Sequence, residues 1–195
     1  MISAIILAAG LSKRMKLGNK LLLKKKNTTI IQKTFKNIKS SKVDEIIIVL
    51  GKDPEIFKRE IKDKNVIFTI NQKYPTGMSS SIKQGLEKVD ERSIATLICL
   101  ADMPLVKTST YNKIIDTFYK NREKNIIPYF ENKKGNPVLF NNFFFKKLKM
   151  IKGDNGAKFF IKKNFENFLK LAVTDQGVIK DIDNTARYYS FLNNA

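Results

Sequence analysis

The chain has 195 residues and 43% apolar side chains, which suits one domain with a buried core and excludes a chain that is disordered by composition. Its single cysteine, Cys99, excludes an intrachain disulfide, and the absence of histidine excludes histidine bases and histidine metal ligands. The 37 basic and 18 acidic residues give a net charge of +19, and a field of this sign attracts nucleic acid, anionic membranes or phosphorylated small molecules.

No apolar run in the sequence approaches the length of roughly 18 residues that a membrane helix needs. The apolar stretch near Met1 is too short for a signal peptide and has no basic residues before it, so we expect a cytoplasmic protein without a membrane partner. The lysines are scattered, and Lys, Asn and Ile are all abundant, which is typical of an AT-rich genome. The charge by itself therefore does not favour nucleic-acid binding.

The first two thirds of the chain alternate between short apolar runs and helical patterns. In chain order the pattern predicts a strand at 4–7, a helix at 29–38, a strand at 45–50, a helix at 54–61, a strand at 66–70, a helix at 79–89, a strand at 94–100, a helix at 108–119 and a strand at 125–129. Strands that are apolar on both faces indicate a mainly parallel sheet with helices on both faces.

The last third is less regular but continues the same domain. Its patterns predict strands at 137–140, 168–172 and 178–182, and helices at 143–150 and 155–163. No linker or repeat divides the chain, so the fold class is α/β with a single domain over residues 1–195. In such sheets ligands collect at the carboxyl ends of the strands, and the candidate site residues are sought there.

The loop after the first strand has the residue types of a phosphate cradle. Leu7, Ala8, Ala9 and Gly10 are small or apolar, so the backbone can approach a ligand and its N–H groups can contact phosphate oxygens. Arg14 and Lys20, further along, can add charge-assisted hydrogen bonds. The segment lacks the spacing of a Walker A loop and of a dinucleotide fingerprint. A tight glycine turn in a basic surface loop is the alternative interpretation.

Two further segments place polar groups at strand ends. Gly77 and Ser81 flank the start of a predicted helix, where free N–H groups attract polar or anionic ligands, although simple N-capping by serine is equally typical. Asp102 directly follows the strand at 94–100, and Mg²⁺ prefers such a carboxylate together with water and phosphate oxygens. An aspartate that starts a turn before proline is the alternative.

The string Leu7-Ala8-Ala9-Gly10-x-Ser12-x-Arg14-Met15, with Lys20-Leu21-Leu22-Leu23 after it, resembles the signature of the MobA-like NTP transferases. It is most similar to the molybdenum cofactor cytidylyltransferase branch. The resemblance implies a Rossmann-like nucleotidyltransferase fold in which the loop wraps the triphosphate and meets the base, with Arg14 and Lys20 on the phosphate oxygens. The chain departs from the pattern at Lys16, where the family usually has glycine.

Further segments resemble the family in the same order along the chain. Those segments imply base contacts from Gly77 and Ser81, with Asn71 facing the nucleotide. The segment Leu100-Ala101-Asp102-Met103-Pro104 implies that Asp102 binds the metal, with Ala101 in place of the usual glycine. The segment 181–185 implies a second metal ligand, Asp183 or Asp181. The segments 135–140 and 153–158 imply acceptor binding by Asn136, Pro137, Asp154 and Lys158.

The implied reaction is Mg²⁺-dependent nucleotide transfer from CTP to the phosphate of a molybdopterin-type cofactor, with release of pyrophosphate. Arg14, Lys20 and Asp102 would be the catalytic residues, and Ala9, where guanylyltransferases of the family have glycine, favours CTP. Residues 1–105 would mainly bind the nucleotide and residues 106–195 the acceptor. A molybdenum hydroxylase is the possible protein partner.

Four alternatives stay open at this point. The first two are a guanylyltransferase and an enzyme that acts on sugar or isoprenoid phosphates. The other two are a cofactor-binding chaperone without activity and a basic nucleic-acid-binding protein.

Overall fold

The computed structural model describes residues 1–12, 14–15, 17–154 and 156–193. In these ranges the strands are β1 (Ile2–Ala8), β2 (Lys24–Lys25), β3 (Thr28–Thr29), β4 (Glu45–Leu50), β5 (Val66–Ile70), β6 (Ala95–Leu100), β7 (Asn125–Phe130), β8 (Lys133–Lys134), β9 (Val138–Asn141) and β10 (Phe168–Ala172). The α-helices are α1 (Ile30–Lys39), α2 (Pro54–Glu60), α3 (Met78–Leu86), α4 (Thr108–Lys120), α5 (Phe145–Leu148), α6 (Lys158–Lys163) and α7 (Thr185–Asn193).

Eight strands form one sheet in the order β10-β7-β9-β6-β1-β4-β5, with β8 paired to β7. The pairs β1–β4, β1–β6, β4–β5 and β7–β10 are parallel, whereas β9 lies antiparallel between β6 and β7. The short strands β2 and β3 form a separate antiparallel hairpin. The predicted α/β class with a mainly parallel sheet is confirmed.

Alternate residues of the central strands point to opposite faces of the sheet and pack into two apolar layers. In β1, Ile6 packs into one layer with α1, α4 and α7, whereas its neighbour Ile5 packs into the other with α3, α5 and α6. Both side chains are fully buried. The period of two in a strand explains this division, and it accounts for strands that read as apolar on every residue. The predicted cover of helices on both faces is therefore confirmed.

The prediction of a strand at 178–182 is wrong. Residues Gln176–Ile179 form a 3₁₀ turn because the carboxylate of Asp175 accepts hydrogen bonds from the N–H of Gly177 at 2.9 Å and from the N–H of Lys107 at 2.8 Å. An aspartate that binds the backbone two residues ahead favours a turn over a strand. The next residues run along the end of β6, where the N–H of Ile182 donates to the carbonyl of Asp102 at 2.9 Å.

Other differences concern short elements. The helix expected at 143–150 is a 3₁₀ turn at Asn142–Phe144 followed by the single turn of α5. The final helix α7 and the strands β2, β3 and β8 were not predicted, since short elements carry too little hydrophobic period to be recognised. The expected helix start at Asn155 and the departure at Lys16 lie outside the described residues, as do Lys13, Asn194 and Ala195.

Candidate functional site

A cleft of about 1350 Å³ opens at the carboxyl ends of β1 and β6. Most of the side chains that the sequence singled out line it, although they come from segments far apart in the chain. The predicted residues on its wall are Leu7, Ala9, Gly10, Arg14, Lys20, Gly77, Ser81, Asp102, Asn136, Asp154, Lys158, Asp181 and Asp183.

The loop after β1 forms one end of the cleft. Ser12 takes a left-handed conformation with φ of 50°, and its carbonyl accepts a hydrogen bond from the N–H of Met15 at 2.9 Å. The Ser12 hydroxyl accepts from the N–H of Lys20 at 3.3 Å, which ties the two ends of the loop together. A Cβ built on Gly10 would meet no atom within 4 Å, so the backbone here faces open space that a ligand can enter.

Three carboxylates meet beside this loop. Asp102, Asp181 and Asp183 each offer an oxygen, and these oxygens lie within 4.8 Å of one another. Asp102 stands at the end of β6, and the other two reach it because the Ile182–Asp102 backbone hydrogen bond draws their segment alongside. An all-oxygen donor set of this kind suits Mg²⁺ or Mn²⁺.

Cationic side chains neutralise the carboxylates. The ammonium nitrogen of Lys20 lies 2.5 Å from Asp102 Oδ2 and 2.8 Å from Asp183 Oδ1. Arg14 also pairs with Asp183, and Arg187 pairs with Asp181. Because Lys20 lies between two of the carboxylates, the cluster already accommodates one cation, so its residues fit the proposed metal.

Burial and charge together shape the ionisation of this cluster. Burial raises the pKa of Asp102, and the neighbouring charge of Lys20 opposes this only in part. Burial disfavours the charged form of Lys20, but the carboxylates of Asp102 and Asp183 outweigh it and raise the pKa of the lysine. For Asp183, burial is outweighed by hydrogen bonding to Lys20 and by the charges around it, which lower the pKa of the carboxyl group.

The start of α3 forms the opposite rim. Gly77 has φ of 111°, and a Cβ there would come within 2.6 Å of the Asp154 backbone. The carboxylate of Asp154 accepts a hydrogen bond from the N–H of Met78 at 3.2 Å. The predicted base-side residue Gly77 and the predicted acceptor-side residue Asp154 are therefore in direct contact.

Three of the predicted residues do not line the cleft. Ala8 is 3% exposed and packs in the core, and Pro137 is buried behind a cis peptide bond with Asn136. Asn71 is 2% exposed, and its amide donates to the hydroxyls of Ser80 at 2.8 Å and Ser81 at 3.0 Å. Asn71 thus orients Ser81, which does line the cleft.

Two lysines on the cleft wall were missed in the sequence. Lys133 and Lys134 form β8 and line the cleft next to Gly135 and Asn136. The signal was available, because the pair directly precedes the segment that resembles an acceptor-binding motif. Lysines are scattered along the whole chain, so a pair of them does not stand out from the basic composition.

No helix among the described residues is long and apolar enough to cross a membrane.

Comparison with known proteins identifies the family and the fold of the chain. Residues 4–168 match the sequence profile of the MobA-like NTP transferase domain. The chain is 29% identical over 114 residues to the "Bifunctional protein GlmU" of Clostridium beijerinckii, an alignment that covers 58% of the chain and 25% of that protein. It is 28% identical over 123 residues to the "Probable molybdenum cofactor guanylyltransferase" of Methanosarcina acetivorans, covering 60% of the chain and 52% of that protein.

The chain thus spans about a quarter of the length of the GlmU relative and about half of the Methanosarcina relative.

Among solved structures, the fold is similar to Rv0371c from Mycobacterium tuberculosis, with a TM-score of 0.88, 24% identity and coverage of 99% of this chain and 98% of that one. The structure of Rv0371c in complex with manganese superposes with a TM-score of 0.83, 23% identity and coverage of 100% and 99%. These likenesses establish the shared fold.

Proposed function

Because the chain belongs to the MobA-like NTP transferase family, we propose that it transfers a nucleotide from a nucleoside triphosphate to the phosphate of a small molecule. The observation that carries this proposal is the position of Lys20. Its ammonium group forms ion pairs with both Asp102 and Asp183, beside the loop after β1. A cationic group for phosphate oxygens and a carboxylate cluster for a divalent cation are thus adjacent.

The reaction needs positioning and charge rather than a nucleophilic side chain. An oxygen of the acceptor phosphate attacks the α-phosphorus of the triphosphate in line, and the bond to the β-phosphate oxygen breaks, so that pyrophosphate leaves. The acceptor phosphate is already an anion at neutral pH and needs no general base. Such reactions are accelerated mainly by alignment and by stabilisation of negative charge.

The roles follow from the charges in the cleft. Arg14 and Lys20 would bind the β- and γ-phosphate oxygens and offset the charge that develops on pyrophosphate. Asp102 and Asp183 would hold Mg²⁺, which would neutralise the α-phosphate, and Asp181 would contribute from the same cluster. We favour Asp183 over Asp181 because Asp183 and Asp102 share Lys20 as a cationic partner.

We propose CTP as the nucleotide. The side chain of Ala9 lies on the cleft wall, and its methyl group reduces the room for a purine compared with the glycine of guanylyltransferases. The Methanosarcina relative is named as a probable guanylyltransferase, so GTP is the second candidate nucleotide.

For the acceptor we propose a molybdopterin-type phosphate, which would give a cytosine dinucleotide cofactor, with a molybdenum hydroxylase as its recipient. Asn136, Asp154 and Lys158 line the part of the cleft that we assign to this acceptor.

The test is pyrophosphate release by the purified protein with Mg²⁺, molybdopterin and each of CTP, GTP, ATP and UTP. We expect release with CTP. Release with GTP alone would keep the reaction and overturn the choice of base. Nucleotide binding without release would redirect the search to sugar or isoprenoid phosphates as acceptors. Absence of both binding and release would overturn the proposed function.

A further inference from the structure

A buried network of polar side chains joins the end of β5 to the first turns of α3. Asn71, directly after β5, is 2% exposed, and Ser81, on α3, is 5% exposed. The oxygen of the Asn71 amide is identified by its partner, because Oδ1 accepts a hydrogen bond from the N–H of Lys73 at 2.9 Å. The other terminal atom is therefore Nδ2, which can only donate.

Both hydrogens of the Asn71 amide go to serine oxygens. Nδ2 lies 2.8 Å from Ser80 Oγ and 3.0 Å from Ser81 Oγ. Ser80 in turn donates its hydroxyl hydrogen to backbone carbonyls, with that of Gly77 at 2.8 Å and that of Lys73 at 2.9 Å. The direction of each of these hydrogen bonds is therefore determined, and neither Asn71 nor Ser80 keeps a side-chain hydrogen for a ligand.

Ser81 differs from Ser80 in the use of its hydroxyl hydrogen. The Ser81 oxygen accepts from Asn71, but in the part of the chain that the structure describes no acceptor lies within hydrogen-bond distance of its O–H. Ser81 lines the cleft, whereas Ser80 faces the other side of α3. Because a buried donor is favourable only when it has an acceptor, this hydroxyl is suited to a ligand in the cleft.

We propose that Asn71 is a positioning residue that holds Ser81 as a hydrogen-bond donor, and that the nucleotide places an acceptor atom beside it. A carbonyl oxygen, a ring nitrogen or a sugar oxygen would serve as this acceptor. The inference rests on the proposed function. It replaces the expectation that Asn71 itself faces the nucleotide, because the amide is buried and both of its hydrogens are already used.

The experiment is a double-mutant cycle in which calorimetry measures binding of a non-hydrolysable CTP analogue with Mg²⁺. Ser81→Ala removes the donor. Asn71→Asp keeps the size of the side chain and an acceptor for the N–H of Lys73, but a carboxylate can only accept and therefore draws the Ser81 hydrogen away from the cleft. We expect each substitution to weaken binding about five- to tenfold, as for the loss of one hydrogen bond.

The double variant separates an action through Ser81 from a structural or electrostatic effect of residue 71. If Asn71 acts through the Ser81 hydroxyl, adding Asn71→Asp to Ser81→Ala should weaken binding no further. The negative charge of the aspartate, or a disturbed fold, would act in both backgrounds. The two losses would then multiply to about 25- to 100-fold, and this result would overturn the positioning role.

Ser80→Ala is the matched control, because it removes a hydroxyl that binds the same amide from a side chain outside the cleft. It should leave the nucleotide affinity nearly unchanged, and a loss equal to that of Ser81→Ala would overturn the donor assignment. Thermal melts establish that each variant folds. If Asn71→Asp does not fold, Asn71→Ala removes the amide without adding a charge and repeats the cycle.

Failure of the proposed function has a different signature. The cycle is also run with the GTP analogue, since guanine presents acceptor atoms as well. If the wild-type protein binds neither analogue, the proposed function fails and this inference fails with it. If the wild-type protein binds nucleotide and Ser81→Ala binds it equally well, the donor role alone is overturned.

Discussion

Asp102 and Cys99 lie close together at the end of β6 but in different electrostatic surroundings. Asp102 is mostly removed from water, yet it is the carboxylate that shares Lys20 with Asp183. Keeping a buried carboxylate costs free energy unless it is paired, and the pairing here depends on one lysine. Cys99, three residues earlier and within β6, is a buried core residue: burial raises the pKa of its thiol, as expected of an inert cysteine.

Replacement of Asp102 by alanine should remove most activity and leave the protein folded. Loss of one principal charge contact in a site of this kind reduces the rate by about 10²–10³. Lys20 keeps Asp183 as a partner, so no cation is left buried alone. The measurement is pyrophosphate release, with a thermal melt to establish folding. Asp116→Ala, which breaks an exposed pair with Lys42, is the control. Wild-type turnover by a folded Asp102→Ala protein would contradict the metal role.

Asp90 allows an independent test of the electrostatics away from the cleft. Hydrogen bonds from the side chain and the N–H of Arg92 lower the pKa of Asp90 to about 2. Because the folded-state pKa lies below the unfolded value of about 3.9, the pair contributes stability above that value. The contribution is lost as the pH falls through about 2.

Carbon-13 NMR of the Asp90 carboxyl group should therefore show a midpoint near 2, which Arg92→Gln shifts upwards. Arg59→Gln, near the end of α2 and away from the Asp90 turn, should leave the midpoint unchanged. A normal midpoint in the wild-type protein would refute the assignment of these hydrogen bonds.

Helix ends show why the elements begin where they do. Thr29 caps α1 through a reciprocal pair of hydrogen bonds: its hydroxyl accepts from the N–H of Gln32, and the Gln32 side chain accepts from the N–H of Thr29. This capping box satisfies donors that have no partner in the first turn. The sequence predicted a helix at 29–38, and the structure moves its first residue by one because Thr29 is the cap.

Thr29→Ala should lower the free energy of unfolding by about 1 kcal/mol, the usual cost of losing an N-cap. The measurement is urea unfolding followed by circular dichroism. Thr28→Ala, at an exposed neighbouring position, removes the same atoms without removing a cap and should change stability little. Equal effects of the two substitutions would show that the capping box does not stabilise α1.

At the scale of the whole molecule, the positive charge and the cleft act together. A net charge of +19 attracts any polyanion, whereas the cleft, as the described residues form it, brings cations and carboxylates together in one place. General attraction is screened by salt, whereas contacts inside a cleft are screened much less. Salt therefore separates specific nucleotide binding from the field of the surface.

Mg²⁺ with CTP at about 100 times the dissociation constant should stabilise the fold by about 2.7 kcal/mol and raise the melting temperature by about 5–10 °C. The shift should persist in 0.3 M NaCl and should shrink when EDTA removes the metal. The measurement is a thermal melt in each of four buffers, with and without 0.3 M NaCl and with and without EDTA. A shift that disappears in salt but ignores EDTA would indicate binding to the charged surface instead of the cleft.

The sequence by itself determined the α/β class and the positions of the main strands along the chain, and it singled out the loop after the first strand. These features depend on hydrophobic period and on residues that are close in the chain, so a local pattern is sufficient to identify them. Asp102 belongs to the same group, because an aspartate at the end of a buried parallel strand must lie at the ligand edge of the sheet.

Only the tertiary structure decided which distant groups meet. Lys20 reaches Asp183 across 163 residues because the turn after Asp175 directs the chain along β6, and a strand had been expected there. The antiparallel pairing of β8 with β7 brings Lys134 to the cleft wall, and β9 then runs antiparallel between β6 and β7. Contacts of this kind depend on turn geometry and strand order, which hydrophobic period does not encode.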